Sequence, residues 1–229
     1  MPERIVLHWD GGAAAALALR QLELEGAYHS ECLLTSMGPD GAVAKSGLSR
    51  SMLDAQAAAL GKRVEAVDVP EPCDQATWEA IFTPVLLPYV RRLVRLVCFP
   101  VHGGKPWRRE MEHFLISFGM RGVFPIWGKD AAEQCRLFEI LGMRAIVTAV
   151  DPKRLGEEHL GRPWDPEFVA SLPPGVDGMG TDGAFETLCF DGPIFPAPLA
   201  FRTGAVVQRG RQRVLELTVQ EGVGAADSK

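Results

Sequence analysis

The chain has no C-x-x-C pair, and its five cysteines (Cys32, Cys73, Cys98, Cys135, Cys189) are odd in number and widely scattered. That excludes a disulfide framework and a zinc knuckle, and it points to a reducing cytoplasm with most thiols in the core. No stretch approaches the ~20 apolar residues of a membrane helix. The segment after Met1 carries Glu3 and Arg4 and too short an apolar run for a signal peptide. A net charge of -5 gives no general attraction for nucleic acid or for an anionic membrane. There is no internal repeat. What remains, 229 residues with 47% hydrophobic and 23% charged, is an ordinary globular composition, long enough to bury a core as one large domain or two small ones.

The most informative stretch is the opening one. Ile5-Val6-Leu7 suits a buried strand, Gly11-Gly12 a tight turn, and Ala13-Ala14-Ala15-Ala16-Leu17 the start of a helix. A strand, a glycine turn and a helix N-terminus make an anion site, because free N–H groups and the helix dipole face outward. Asp10 reads as the N-cap, where its carboxylate would take that anion site for itself. His8, at the strand end, sits where ligands bind in open α/β sheets.

Further along, Cys32-Leu33-Leu34-Thr35 and Val64-Glu65-Ala66-Val67-Asp68-Val69 read as strands, with a Ser49-capped helix between them that Gly61 ends. Asp74 caps a long apolar helix that Pro84 and Pro88 are expected to kink or divide. Leu96-Val97-Cys98-Phe99 is a strand, followed by a loop through His102-Gly103-Gly104-Lys105 and a helix carrying Arg108 and Glu112. A helix over 131–141 precedes a strand over 145–150. This alternation argues for βαβ units and a parallel sheet. From Asp151 prolines and glycines become dense, and strands over 185–190 and 213–219 suggest a second, smaller unit.

Several motifs in order resemble the adenine nucleotide alpha hydrolases that include diphthine–ammonia ligase. Trp9-Asp10-Gly11-Gly12-Ala13-Ala14-Ala15-Ala16-Leu17-Ala18-Leu19 stands where the family has W-S-S/G-G-K-D-S-x-x-A-L. Leu53-Asp54-Ala55-Gln56-Ala57 resembles L-x-x-Q-A, and Val123-Phe124-Pro125-Ile126-Trp127 resembles F-P-L-W. Val150-Asp151-Pro152-Lys153-Arg154-Leu155, with Leu160-Gly161-Arg162, is similar to V-D-P-K-x-L and its glycine–arginine partner. Gly180-Thr181-Asp182-Gly183-Ala184-Phe185-Glu186-Thr187 stands at G-E-N/G-G-E-F/Y-H/E-T, and Asp191-Gly192-Pro193-Ile194-Phe195 at D-G-P-x-F.

The resemblance implies an α/β fold: a HUP-type, Rossmann-like parallel-sheet domain over 1–123, a smaller α+β domain over 124–221 lining a cleft, and a flexible tail over 222–229. It also implies ATP with magnesium, and an amide formed through an adenylate. The departures fall on the chemistry. The family's loop lysine, aspartate and serine are Ala13, Ala14 and Ala15 here, its G-D pair is Pro100-Val101, and its two late glutamates are Thr181 and Ala184. ATP activation needs cations against the phosphates, and this loop has none.

Two readings therefore stand. One is a divergent ligase-like enzyme. The other is an inactive homologue, a pseudoenzyme, that binds a small-molecule or nucleotide ligand or a partner. The late loop is the stronger candidate for chemistry, with Glu186 and Thr187 first and Asp182 beside them; the alternative for Asp182 is a turn cap. His8, Asp10, Gly11, Gly12, Gly180 and Gly183 are the candidate ligand-binding residues. Lys153, Arg162 and the His102–Lys105 loop are the candidate cations. No metal ligand set stands out, neither nucleic acid nor membrane is an expected partner, and a homodimer stays open.

Overall fold

β1 (Glu3–His8) is the centre of the molecule. The computed structural model describes residues 1–100 and 104–220, so the expected loop at 101–103 and the tail at 222–229 lie outside the described residues. β1 pairs in parallel with β2 (Tyr28–Met37) on one side and β4 (Leu96–Cys98) on the other. β3 (Val64–Asp68) and β5 (Arg121–Val123) complete a five-stranded parallel sheet in the order β3-β2-β1-β4-β5. The strand order reverses between β1 and β4, which places the switch point of this Rossmann-like sheet just beyond His8.

Successive residues of the inner strands serve different cores. Ile5 and Leu7 of β1 face the layer holding α1 (Ala13–Glu25) and α2 (Arg50–Ala59), while Val6 faces α3 (Gln75–Arg91) and α4 (Lys105–Ser117). A strand buried on both faces has no reason to alternate, which is why it reads as an apolar run. The alanines of α1 are buried at Ala13, Ala15, Ala16 and Ala18. Side chains that small let the helix lie close to what covers it.

The expected division of α3 does not occur. The helix runs unbroken from Gln75 to Arg91, with Pro84 and Pro88 inside it and the Asp74 carboxylate accepting from the Thr77 N–H at 2.8 Å. Both prolines are solvent-exposed and lie four residues apart on one face. The carbonyls of Ala80 and Pro84, which lose their N–H partners, belong to exposed residues that water can reach.

The strand expected over 145–150 does not join the parallel sheet. After α5 (Ala131–Ile140), β6 (Arg144–Val150) pairs antiparallel with β7 (Phe185–Asp191) and β9 (Gln212–Val219). With β8 (Phe201–Arg209), a strand not foreseen from sequence, they form a separate four-stranded sheet in the order β7-β6-β9-β8. α6 (Pro166–Ser171) packs against α5. One hydrophobic cluster runs from Ile5, Leu7 and Leu17 through Phe138 and Val147 to Phe185 and Leu188, so the two sheets share a core. Among the described residues no helix is long and apolar enough to cross a membrane, and no cluster of ligand-type side chains suits a metal ion.

Candidate functional site

The loop after β1 carries the candidate site, and its backbone is held from three directions. Gly11 has φ +84°, and a Cβ there would lie 2.7 Å from both Gln56 Oε1 and the Leu48 side chain, so only glycine fits. The Gln56 side chain, fully buried on α2, donates to the Gly11 carbonyl at 2.9 Å and to the Cys189 carbonyl at 2.8 Å. Its oxygen accepts from the Trp9 indole at 3.2 Å. The Cys189 N–H also donates to the Gly11 carbonyl, at 2.9 Å. β7 of the second sheet is thereby tied to the loop of the first.

The N-terminus of α1 is closed by side chains of this same chain. Gly12, not Asp10, is the N-cap residue. Asp10 lies two positions earlier, and its Oδ1 accepts from the Gly12 N–H at 2.8 Å in an Asx turn. The next amide, Ala13 N–H, donates to the Thr187 hydroxyl at 2.9 Å. Two of the free donors at this helix end are thus engaged, one by a carboxylate and one by a hydroxyl.

Glu186 precedes Thr187 on β7 and is half-buried. Burial pushes its carboxyl up to about 8, with the charge of Asp10 adding to the rise and Lys45 and Arg211 opposing it. His8 is also half-buried, and burial lowers its imidazole, Asp10 opposing and Lys45 assisting. The ring of His8 lies 6.1 Å from that of Phe99, just past β4, so the strands on both sides of the switch point contribute. Two carboxyls and an imidazole gather here at the carboxyl edge of the parallel sheet, with Lys45 and Arg211 the cations nearest to them in effect.

Asp182 has a different environment. Its carboxylate accepts from the Asp177 N–H at 2.9 Å, from the Ala184 N–H at 3.1 Å and from Arg154 at 2.5 Å. Burial works against its ionisation, but these donors outweigh it and hold the carboxyl below its ordinary value. Asp177 in turn accepts from Thr181 and Met179. Gly180 has φ +71°, and a Cβ there would lie 2.5 Å from the Phe185 carbonyl. Gly183 lies against the Arg211 guanidinium, which itself stands 4.0 Å from Asp151. The polar groups of the late loop are turned on one another.

Residues 133–209 match the family model of the diphthamide synthase C-terminal domain. That span is about a third of the chain and contains Asp182, Glu186 and Thr187, so it supports a diphthine–ammonia ligase-like relationship for the second sheet and its loop. No curated protein matches the chain. The diphthamide synthase-like span supplies Thr187, Cys189 and Glu186 to a loop that the N-terminal sheet carries.

The cations anticipated from sequence lie elsewhere. Arg162 stacks over Phe168 at 5.6 Å, Lys153 is exposed on a turn, and Lys105 is exposed at the start of α4. Arg108 pairs with Glu112 at 2.8 Å and lies over the rings of Phe124 at 4.4 Å and Trp127 at 5.1 Å. Lys45 and Arg211 went unforeseen because they come from a β2–α2 loop and a hairpin turn without a motif. Lys45 is one of two non-glycine residues with a positive φ among the described residues, at 72°, a conformation that no sequence pattern announces. Gln56 could have been found, since it is the glutamine of the L-x-x-Q-A stretch.

Proposed function

We propose that this chain is a diphthamide synthase-like protein that does not cleave ATP, a pseudoenzyme for that reaction, and holds a small polar ligand beside His8, Asp10 and Glu186. The observation that carries this reading is the occupation of the α1 N-terminus by Asp10 and Thr187. A triphosphate does not fit this donor set. It would have to displace a hydroxyl and a carboxylate of like charge to its own, at a loop whose Ala13, Ala14 and Ala15 bring no cation. Magnesium lacks a ligand set as well, since the nearest carboxylates are an Asp10 engaged with backbone and a Glu186 that burial keeps protonated near neutrality.

The test is calorimetric titration with ATP and magnesium alongside an assay for AMP release. The expected result is no heat and no AMP. Saturable binding with AMP formation would overturn the reading.

One observation favours a second reading, in which the site performs proton transfer without ATP. Burial, with the charge of Asp10 adding to it, pushes the Glu186 carboxyl up to about 8, and a carboxyl raised toward neutrality at a sheet's carboxyl edge is suited to acid–base work. Under that reading Glu186 is the proton donor or acceptor, and Glu186→Gln abolishes turnover of a substrate that wild-type protein converts in the absence of nucleotide.

A further inference from the structure

We propose that β8 is the surface through which two copies of this chain associate, edge to edge and antiparallel, into a continuous eight-stranded sheet. Each of the two sheets has two edges, and the other three are short or engaged. β3 has five residues and β5 has three. β7 is held through Cys189 by the Gly11 loop. β8 has nine residues and stands at the end of the order β7-β6-β9-β8. Among the described residues no backbone hydrogen bond reaches it from any element other than β9. Arg202, Thr203, Gly204, Ala205 and Val206 are all exposed. A long open edge with an Ala205-Val206-Val207 centre is a template for another strand.

A second copy is the occupant that suits this sequence. An antiparallel pair centred on Ala205 gives full nine-residue overlap and sets Arg202 against Gln208, Phe201 against Arg209, Thr203 against Val207 and Gly204 against Val206. No like charges meet, and Arg209, whose guanidinium is neutralised by Asp40 of its own chain at 2.8 Å, lies across from Phe201. Moving the register by one residue in one direction sets Arg202 against Arg209. The ladder to β9 shifts between Thr203 and Val206, so two residues oppose Glu216 alone. Such a bulge bends an edge strand and can keep strangers away. Here it lies on the two-fold axis, so both copies bend at the same place. The edge carries no charge at its centre.

The full chain is examined by sedimentation or light scattering from about 1 to 200 µM, the range suited to an interface near or below the ~1,600 Å² standard. The expected result is a mass that doubles from 24.9 kDa as concentration rises. Ala205→Lys brings two ammonium groups together on the axis and is expected to hold the mass at one copy throughout, with an unchanged melting temperature. In a Cys73→Ser background, Ala205→Cys is expected to form a disulfide-linked pair on mild oxidation, because residue 205 faces itself at roughly 4.5–5.5 Å between Cα atoms. A chain that stays single at every concentration overturns the proposal and leaves the edge to a strand from a different protein. So does a dimer that survives Ala205→Lys, or one whose Ala205→Cys form does not cross-link.

Discussion

The Thr187 hydroxyl accepts a hydrogen bond from the Ala13 amide, 174 residues away in sequence, at 2.9 Å. A residue of the second sheet therefore serves as a cap for the first helix of the chain. Helix N-termini are ordinarily capped by the residue just before them, and Gly12 has no side chain to do so.

Replacing Thr187 by valine keeps its shape and removes the cap. The expected cost is about 0.5–2 kcal/mol, the range for losing a side-chain acceptor at a helix start. Chemical denaturation of the variant against the parent checks this, and an unchanged midpoint would show that the bond adds nothing.

Gln56 is the more costly residue to lose. Its amide reaches Gly11, Cys189 and Trp9, all in buried surroundings. Gln56→Leu leaves the Trp9 indole and the Cys189 carbonyl without that partner, and each orphaned group costs about 1–3 kcal/mol. The variant is expected to melt well below the parent, with the loss read by calorimetry.

Glu186 makes stability depend on pH. Its carboxyl is raised in the folded protein from an ordinary 4.5 to about 8. Between those values the folded chain binds the proton that the unfolded chain has released, so its contribution is complete below about 4.5 and declines as pH rises through about 8. Glu186→Gln cannot ionise. It is expected to flatten the fall in melting temperature between pH 5 and pH 9, roughly the titration window, and to be the more stable protein at the alkaline end. Parallel curves for parent and variant would sink the assignment.

Restoring a lysine at the loop tests the competition for the helix end. Ala13 is 2% exposed and its amide is held by Thr187. Ala13→Lys therefore buries a cation at the positive end of a helix and is expected to destabilise the fold by several kcal/mol, on the order of other buried-charge substitutions. Lysine, aspartate and serine at positions 13, 14 and 15 are expected to leave ATP unbound while Asp10 remains. Adding Asp10→Ser is the combination expected to give heat with ATP in calorimetry.

Much of the architecture was legible in the chain. The apolar run at Ile5–Leu7, the Ser49 and Asp74 caps and Gly61 each mark a boundary that the folded protein keeps, because these signals act locally. β8 was not legible. An edge strand exposed along most of its length has no buried face to impose a two-residue period. The 145–150 stretch reads as a strand, but strand propensity says nothing about which strands it pairs with. In the site, Glu186 and Asp10 are both candidates in the sequence, while their mutual influence follows from the packing of β7 against the Gly11 loop. Lys45 and Arg211 reach that place from distant loops, and no spacing in the sequence encodes such a meeting.

The bond between Gly11 and Cys189 also bears on how the protein is made. The loop after β1 is completed by a strand that is synthesised close to 180 residues later, an interval of roughly 10–35 s at about 5–20 residues per second. The parallel sheet can gather early, but its central turn stays unfinished until β7 docks. A chain stopped before β7 is expected to carry an open amide-lined turn between β1 and α1, and in such a nascent chain anions would find the helix end that the finished protein closes.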